Sequence, residues 1–240
     1  MIRALYTATS GMLVESRRLD LAARNLYYGQ VPGYKGVGEL RAALPATGGG
    51  GLPLDVQTDY AGEFVNPAPG PVRPTNRPLD LALSGEGLFV LQGPNGLVYT
   101  RDGRFYRGPD GTVRNGSDYP LLGENGPVVI PPDADIEVDE KGRVWAGGKQ
   151  VDRLRLEAFP AYRGLLRLGG NLFVSTGATK AVASEAQVMQ GALEESNVQK
   201  VEQMTRVIES VRAFEAYQKV VQTVMEDVTG EAVRRIGRVA

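Results

Sequence analysis

Helical periodicity marks the two ends of this chain and is missing from its middle. From residue 2 to residue 26, alternating steps of three and four residues carry a stripe of side chains: Ile2, Leu5, Thr9, Met12, Ser16, Leu19, Ala23 and Leu26. This is a heptad pattern with Thr9, Ser16 and Ala23 as its weak members. A single helix with so thin an apolar stripe is marginal in water. The pattern therefore predicts an N-terminal helix that needs a partner.

A second heptad pattern lies near the other end, where residues 192–229 contain no glycine or proline. Its members are Met204, Val207, Val211, Phe214, Gln218, Val221, Met225 and Val228, and the stripe is widened by Val201, Ile208, Tyr217, Val220 and Val224. A helix of that length would span roughly 57 Å. Such a helix is longer than a compact domain of this size needs, although a core helix of an ordinary domain is the alternative. We expect the two terminal helices to pair, and to be poorly ordered in a dilute monomer that lacks neighbours.

The middle of the chain is typical of antiparallel β-structure. Short runs rich in Val, Leu, Phe and Tyr are separated by turn dipeptides, which are Asn95-Gly96, Asp102-Gly103, Asp110-Gly111, Asn125-Gly126 and Lys141-Gly142. The predicted fold class is α+β, with paired, coiled-coil-like terminal helices and an inserted antiparallel β domain. The predicted segments are an N-terminal helix and turn (1–35), an extended connector (36–75), a β-rich domain (76–183) and a C-terminal helix (184–240).

Composition excludes several kinds of chemistry. The 240 residues include no cysteine and no histidine, which removes disulfides, Cys/His zinc sites and the usual nucleophile–histidine pairs. The acidic residues beside turn glycines, such as Asp102 and Asp139, serve turns more often than catalysis. A formal net charge of −1 gives no global attraction to nucleic acid or anionic membranes. We therefore predict no catalytic, cofactor-binding or metal-binding residues, no nucleic-acid partner and no small-molecule substrate.

The segment after the first helix, NLYYGQVPGYK, resembles the motif that ends the N-terminal helix of bacterial flagellar rod and hook proteins. In that family the motif commonly reads Asn-Leu-Ala-Asn-x-x-Thr-Pro-Gly-Tyr/Phe-Lys. The matching positions are Asn25, Leu26, Pro32, Gly33, Tyr34 and Lys35, and the departures are Tyr27, Tyr28 and Val31. Two large rings thus stand where the family usually has small residues.

Three further stretches carry the resemblance along nearly the whole chain. RPLDLALSGEGLFVLQGPNGLVYTRDGRF is similar to the family's strand–turn segment, and GALEESNVQKVEQMTRVIESVRAFEAYQKVV is similar to its C-terminal signature, with Ser196, Asn197 and Val198 in the Ser-Asn-Val run. PLLGENGPVVIP resembles the proximal-rod branch (FlgF) more than the distal-rod branch (FlgG).

The resemblance implies a structural axial subunit of the flagellar basal-body rod, in which the terminal helices pair and pack with those of neighbouring subunits. The implied partners are other rod subunits, both copies of this chain and paralogues, and hook–basal-body proteins. It also implies a periplasmic location reached by type III export without a cleaved signal peptide, with no direct membrane insertion. The alternatives are a soluble β-domain binding module whose terminal helices fold back on it, and a distal-rod or hook-type paralogue.

The candidate site is therefore a subunit interface rather than an active site. The predicted interface residues are Ile2, Leu5, Met12, Leu19, Leu26, Tyr27, Tyr28, Met204, Val207, Val211, Phe214, Val221, Met225 and Val228. The predicted motif residues are Asn25, Pro32, Gly33, Tyr34, Ser196, Asn197 and Val198.

Overall fold

The computed structural model describes residues 2–44, 57–132, 134–162 and 164–236. Within these ranges the chain has one long helix at each end and short strands between them, which confirms the predicted α+β class. The residues divide into two compact units. The helix unit comprises residues 1–27, 37–64 and 199–240, and the sheet unit comprises residues 28–36 and 65–198.

The helix unit is built on two helices and a pair of strands. Helix α1 is Ile2–Tyr28 and helix α2 is Lys200–Ile236. Strand β1 (Val37–Leu44) pairs with strand β2 (Gln57–Val65) in a two-stranded sheet. Ion pairs connect α1 to these strands, since Arg18 contacts Glu39 at 3.1 Å and Arg24 contacts Glu63 at 2.7 Å.

The two helices contact each other through small and polar side chains. Gly11 lies against the ring of Tyr217, so closely that a Cβ atom at residue 11 would stand 2.6 Å from the ring's Cζ atom. Among the described side chains, the buried positions of α1 are Ala8, Glu15, Leu21, Ala22 and Asn25, and those of α2 are Gln203 and Ser210.

The packed faces differ from the predicted stripes. In α2 the half-buried Val207, Phe214, Tyr217 and Val221 belong to the predicted stripe or its widening, but the fully buried positions, Gln203 and Ser210, lie outside it. In α1 the buried face lies one residue away from the predicted stripe. Small and polar residues occupy it because Gly11 and Ala22 permit close approach and Asn25 finds hydrogen-bond partners there.

Seventeen strands form the described part of the sheet unit. In chain order these are β3 (Val72–Pro74), β4 (Leu81–Ser84), β5 (Leu88–Gly93), β6 (Gly96–Thr100), β7 (Phe105–Arg107), β8 (Val113–Asn115), β9 (Leu122–Gly123), β10 (Gly126–Pro127), β11 (Ile136–Val138), β12 (Arg143–Ala146), β13 (Lys149–Arg153), β14 (Leu156–Ala158), β15 (Leu165–Gly169), β16 (Leu172–Ser175), β17 (Val182–Ala183), β18 (Gln187–Gln190) and β19 (Ala192–Glu194). One turn of 3-10 helix, Pro160–Tyr162, follows β14.

A six-stranded antiparallel sheet, ordered β15-β16-β6-β5-β14-β17, is the largest element of the sheet unit. Strands β11, β12 and β13 form a second antiparallel sheet, and β18 pairs with β4 as β19 pairs with β3. Apolar side chains pack into two clusters, one around Phe89, Phe105 and Val188 and one around Val90, Tyr99 and Phe173.

Four of the five predicted turn glycines have the positive φ angle that such turns require, at residues 96, 111, 126 and 142. Gly103 does not, and it has a different purpose. Its Cα lies against the carbonyl group of Leu81, where a Cβ atom would overlap the carbonyl oxygen. The Asp102-Gly103 dipeptide therefore marks a close backbone approach rather than a positive-φ hairpin turn.

Two predicted segment boundaries differ from the structure. The C-terminal helix begins at Lys200 rather than near residue 184, because residues 187–194 pair with β4 and β3 and Gly191, at φ 72°, turns the chain between β18 and β19. The connector predicted at 36–75 holds β1, β2 and β3. Most of its glycine-rich stretch lies outside the described residues.

Candidate assembly surface

A buried ion cluster joins three segments of the sheet unit. The Glu194 carboxylate accepts a hydrogen bond from Lys35 Nζ at 2.6 Å and from the Gly70 backbone N–H at 2.9 Å. Its other oxygen pairs with the Arg101 guanidinium. The side chains of these three ionic residues are no more than 3% exposed. Each comes from a different signature stretch of the sequence, so the cluster fixes three motifs at one point.

The cluster balances charge against desolvation. Burial acts to raise the pKa of Glu194, but attraction by Arg101 and the contacts with Lys35 outweigh it and hold this pKa below its ordinary value. Burial lowers the pKa of Lys35 despite its contact with Glu194. Arg101 is further satisfied by the carbonyl groups of Gly87 and Leu83, each at 2.6 Å. The three side chains therefore form one paired and hydrogen-bonded cluster.

The motif residues after α1 are also held by hydrogen bonds within the sheet unit. Gly33, with φ 67°, donates its N–H to the Glu194 carbonyl at 2.7 Å, and its Cα lies against the Arg101 backbone where a side chain would not fit. The Pro32 carbonyl accepts a hydrogen bond from the Asn171 side chain at 2.5 Å. Tyr34 is fully buried beneath the Arg167 guanidinium, 4.6 Å from its ring centroid.

The Ser-Asn-Val run meets the same segment. Asn197 Oδ1 accepts a hydrogen bond from the Gly36 N–H at 2.8 Å, and its Nδ2 donates to the Asn66 and Ala68 carbonyls. Ser196 Oγ accepts from the Val198 N–H at 3.1 Å, which closes a local turn before α2. The structure thus brings together the predicted motif residues of the sheet unit, and each of these contacts restrains the backbone.

Asn25, the remaining motif residue, works in the helix unit. Its amide group donates to the Val37 carbonyl at 2.8 Å and accepts from the Val37 N–H at 2.9 Å, as a paired strand would. The same Nδ2 donates to Gln203 Oε1 at 3.3 Å. One buried side chain therefore links α1, β1 and α2.

The two unusual tyrosines have different environments. Tyr28 is half-buried and stacks on Tyr34, with ring centroids 5.4 Å apart and planes 20° apart. Tyr27 is 73% exposed. Tyr28 therefore packs locally, whereas Tyr27 presents an aromatic surface.

Exposed apolar side chains form a stripe on each helix. On α2 the stripe is formed by Val201, Met204, Ile208 and Val211, of which Val201 is 78% exposed, and Val220 and Met225 are exposed further along the helix. On α1 they are Tyr6, Leu13 and Tyr27, at intervals of seven or fourteen residues. We call these the α2 stripe and the α1 stripe. Apolar side chains recurring on one helix face are typical of a surface that packs against another helix.

The predicted interface residues divide between exposed and half-buried positions. Met204, Val211, Met225 and Tyr27 are exposed, while the half-buried members are Leu5, Met12, Leu19, Leu26, Tyr28, Val207, Phe214 and Val221. Ile2 lies in α1 and Val228 in α2, but their side chains fall outside the described residues. The contacts that the sequence reasoning missed are the Lys35–Glu194–Arg101 cluster and Gln203. A charged residue inside each signature stretch is the signal that could have indicated the cluster.

The chain is similar to flagellar proteins along its whole length. The sequence profile described as "Flagellar basal body rod FlgEFG protein C-terminal" matches residues 189–227, and that described as "Flagellar hook protein FlgE/F/G D1 domain" matches residues 82–146. The "Flagellar basal-body rod protein FlgF" of Caulobacter vibrioides is 34% identical over 247 residues, which cover 100% of both chains. This chain belongs to the flagellar basal-body rod protein family.

Other relatives support both branches of the rod family. The FlgF protein of Salmonella typhimurium is 31% identical, over 95% of this chain and 96% of that protein. The FlgG protein of Bacillus subtilis is 29% identical, over 93% of this chain and 95% of that protein. The match to the Caulobacter protein covers the whole chain, including the α1 exit motif and the segment of α2. Neither helix, over its described residues, is long and apolar enough to cross a membrane.

Proposed function

We propose that this rod-family protein is a structural axial subunit that assembles with copies of itself and with paralogous rod subunits through its terminal helices. Its role would be mechanical, to transmit torque from motor to hook, rather than catalytic. The observation that carries the proposal is the pair of exposed apolar stripes on α1 and α2. Head-to-tail contacts between unlike faces that do not close into a ring build a helical filament.

Coiled-coil-like pairing of α1 with α2 within one subunit is part of the same proposal. It is supported by the contact of Gly11 with Tyr217 and the hydrogen bond of Asn25 with Gln203. With the inner faces so engaged, the α1 and α2 stripes are left for neighbouring subunits. The soluble binding module, our alternative, gives no reason for these exposed stripes, and the rod-family membership does not favour it.

Several curated relatives carry the name FlgF, and the similarity of PLLGENGPVVIP to that branch agrees with them. We therefore favour a proximal-rod position over a distal one. A periplasmic rod subunit would be exported without cleavage, as the resemblance implies. Mass spectrometry of this protein from purified basal bodies tests the export proposal, and a new N-terminus well inside residues 1–25 would contradict it.

Substitution of α2 valines tests assembly. Val211 belongs to the exposed α2 stripe, whereas Val221 is half-buried on the face shared with Val207 and Phe214. We expect Val211→Asp to abolish motility and rod assembly while the purified monomer keeps its thermal midpoint. A buried aspartate is costly, so Val221→Asp should also loosen the helix unit, seen as reduced helical circular dichroism.

The matched control is Gln222→Asp, which introduces the same side chain at an exposed polar position of α2. It should leave the monomer unchanged. Unfolding of the sheet unit by Val211→Asp would instead favour the binding-module alternative, since the helices would then be part of one core. Normal rods and motility with Val211→Asp would show that the α2 stripe is not part of the subunit interface.

A further inference from the structure

Two contacts between the helices define one antiparallel alignment. Gly11 meets Tyr217, and Asn25 meets Gln203. On each helix the two contacts lie two heptads apart. The residue number rises along α1 by the same amount as it falls along α2, which is the relation that one antiparallel register requires. Both contacts have the same register, so neither results from a local bend of one helix.

The first contact depends on the absence of a side chain. The Tyr217 ring occupies the space above Gly11, and a Cβ atom there would lie 2.6–3.0 Å from three ring atoms. A shift of α2 by one heptad would place Tyr217 opposite Arg18 or Ala4 instead. Neither position is a glycine, so neither offers the ring the space that Gly11 leaves. The glycine therefore accepts the tyrosine at one level of the pair and no other.

The second contact is polar and buried. Asn25 is 3% exposed and Gln203 is 6% exposed, and Val37 already occupies both sides of the Asn25 amide. Gln203 Oε1 completes the set at 3.3 Å. In a register shifted by one heptad Gln203 would face Arg18 or the region of Pro32, beyond the end of α1. A buried amide without its partner is penalised, so the pair discriminates between registers.

We propose that Gly11–Tyr217 and Asn25–Gln203 form a two-point register lock that sets the alignment of α1 on α2. In this alignment Tyr27 is level with Val201 and Asp20 is level with Ile208, so the α1 and α2 stripes are held at fixed heights. The partner that packs against the α1 and α2 stripes is a second copy of the chain. This last step rests on the proposed assembly through the terminal helices, whereas the lock itself belongs to the monomer.

The lock also accounts for polar side chains along the helix contact. Glu15, Arg18, Ser210 and Glu209 line a cavity of about 510 Å³ in the helix unit. A cavity of this size means that side chains do not interlock at this level of the helix contact, and loosely filled contacts specify an alignment weakly. Specificity must then come from the few contacts that shifted alignments cannot reproduce.

Engineered cysteine pairs report the register directly, because the chain has no cysteine of its own. Ala22→Cys with Arg206→Cys matches the proposed alignment. Ala22→Cys with Ala213→Cys matches an alignment one heptad out, about 10 Å along the axis, beyond the reach of a disulfide in the native register. All three positions line the same cavity. In dilute purified protein we expect the first pair to oxidise and the second to remain reduced.

The lock is then removed by Gly11→Ala together with Gln203→Leu, which spares the hydrogen bonds of Asn25 with Val37. The ratio of shifted to native disulfide should rise about tenfold, the change that 1.4 kcal/mol of lost register preference produces. Gly230→Ala together with Gln222→Leu is the matched control, because a Cβ at residue 230 meets nothing within 4 Å and Gln222 is exposed. The control should keep the native disulfide alone.

Each outcome bears on the lock. Exclusive native cross-linking in the double variant would overturn it, as would equal cross-linking of both pairs in the parent. Circular dichroism shows whether the helices survive, and if the double variant loses them, the single Gln203→Leu variant is measured and must show the shifted disulfide. Cross-linking concerns only the monomer, so failure of the assembly proposal is seen separately, as normal motility with Val211→Asp. Normal motility of a variant that populates the shifted register would overturn the role of the lock in assembly.

Discussion

Glu194 shows how much of this fold depends on one buried carboxylate. It compensates both Lys35 and Arg101, so Glu194→Gln would leave two cations in a desolvated site. Removing one partner of a buried ion pair costs about 3–5 kcal/mol. We expect a loss of that size in the free energy of unfolding of the sheet unit, measured by denaturant titration. Glu195→Gln is the control, since Glu195 makes only an exposed pair with Arg73, and it should change stability by less than about 1 kcal/mol.

The same substitution changes the dependence of stability on pH. The pKa of Glu194 is lower in the folded state than in the unfolded one, so its contribution is present at neutral pH and is lost as pH falls below about 4.5. In Glu194→Gln the slope of unfolding free energy against pH below that value should fall by up to about 1.4 kcal/mol per pH unit, the value for one proton. An unchanged slope would show that Glu194 does not titrate differently in the two states.

Tyr27 and Tyr28 are neighbours in sequence with separable roles. Tyr28 stacks on the buried Tyr34, so Tyr28→Asn should lower the free energy of unfolding of the isolated monomer by roughly the 0.5–1.5 kcal/mol of a ring pair plus the lost apolar burial. The loss should be seen as a lower thermal midpoint. Tyr27 is 73% exposed, so Tyr27→Ala should lower that midpoint less than Tyr28→Asn does, and it should weaken rod assembly. Each variant is the control for the other. Equal destabilisation of the monomer by both would show that Tyr27 also packs locally.

Among the elements, the helices and hairpins follow local signals in the sequence. Long heptad patterns predicted two helices, and the Asn-Gly dipeptides predicted the β5–β6 and β9–β10 hairpins that the structure contains. These signals work because backbone preference at a turn, or apolar spacing on a helix, acts within a few residues. The start of α2 was misjudged for the opposite reason, since residues 187–194 are strands through pairing with distant β3 and β4.

Which face of a helix is buried proved harder to predict than the helix itself. The apolar stripes were expected to face each other, yet the α1–α2 contacts use Gly11, Asn25 and Gln203, which belong to neither stripe, together with Tyr217, which widened the α2 stripe. A periodicity count ranks side chains by hydrophobicity and gives no weight to a glycine that admits a ring or to an amide with matched partners. Apolar residues remain on the outside because, in a subunit that assembles, the outside is also an interface.

At the scale of the molecule, the candidate site was predicted from resemblance more than from physics. The motif residues of the exit segment, such as Gly33, and those before α2, such as Asn197, were identified as family signatures without a reason for their identity. The structure supplies the reason, which is that they meet at Glu194 and at the backbone of residues 33–36. Contacts that span about 160 residues of chain leave no local pattern, so neither helical periodicity nor turn dipeptides bring these residues together, and the charged residue in each signature stretch was the available signal.

The two units should differ in their resistance to local opening. The sheet unit has two apolar clusters around fully buried Phe89 and Val90, so the amides of β5 and β6 should exchange with solvent only when that unit unfolds globally. The helix unit buries polar side chains around its cavity and leaves its apolar stripes exposed, so α1 and α2 should open at lower free energy. In a dilute monomer we expect protection of residues 2–26 and 200–228 to be at least about tenfold weaker than that of β5, a difference of about 1.4 kcal/mol.

Amide exchange followed by mass spectrometry measures this protection. The same helices in purified rods are the control, since neighbouring subunits should cover the stripes and raise protection. Strong protection of both helices in the dilute monomer, equal to that of β5, would mean that the helix unit is already complete without neighbours.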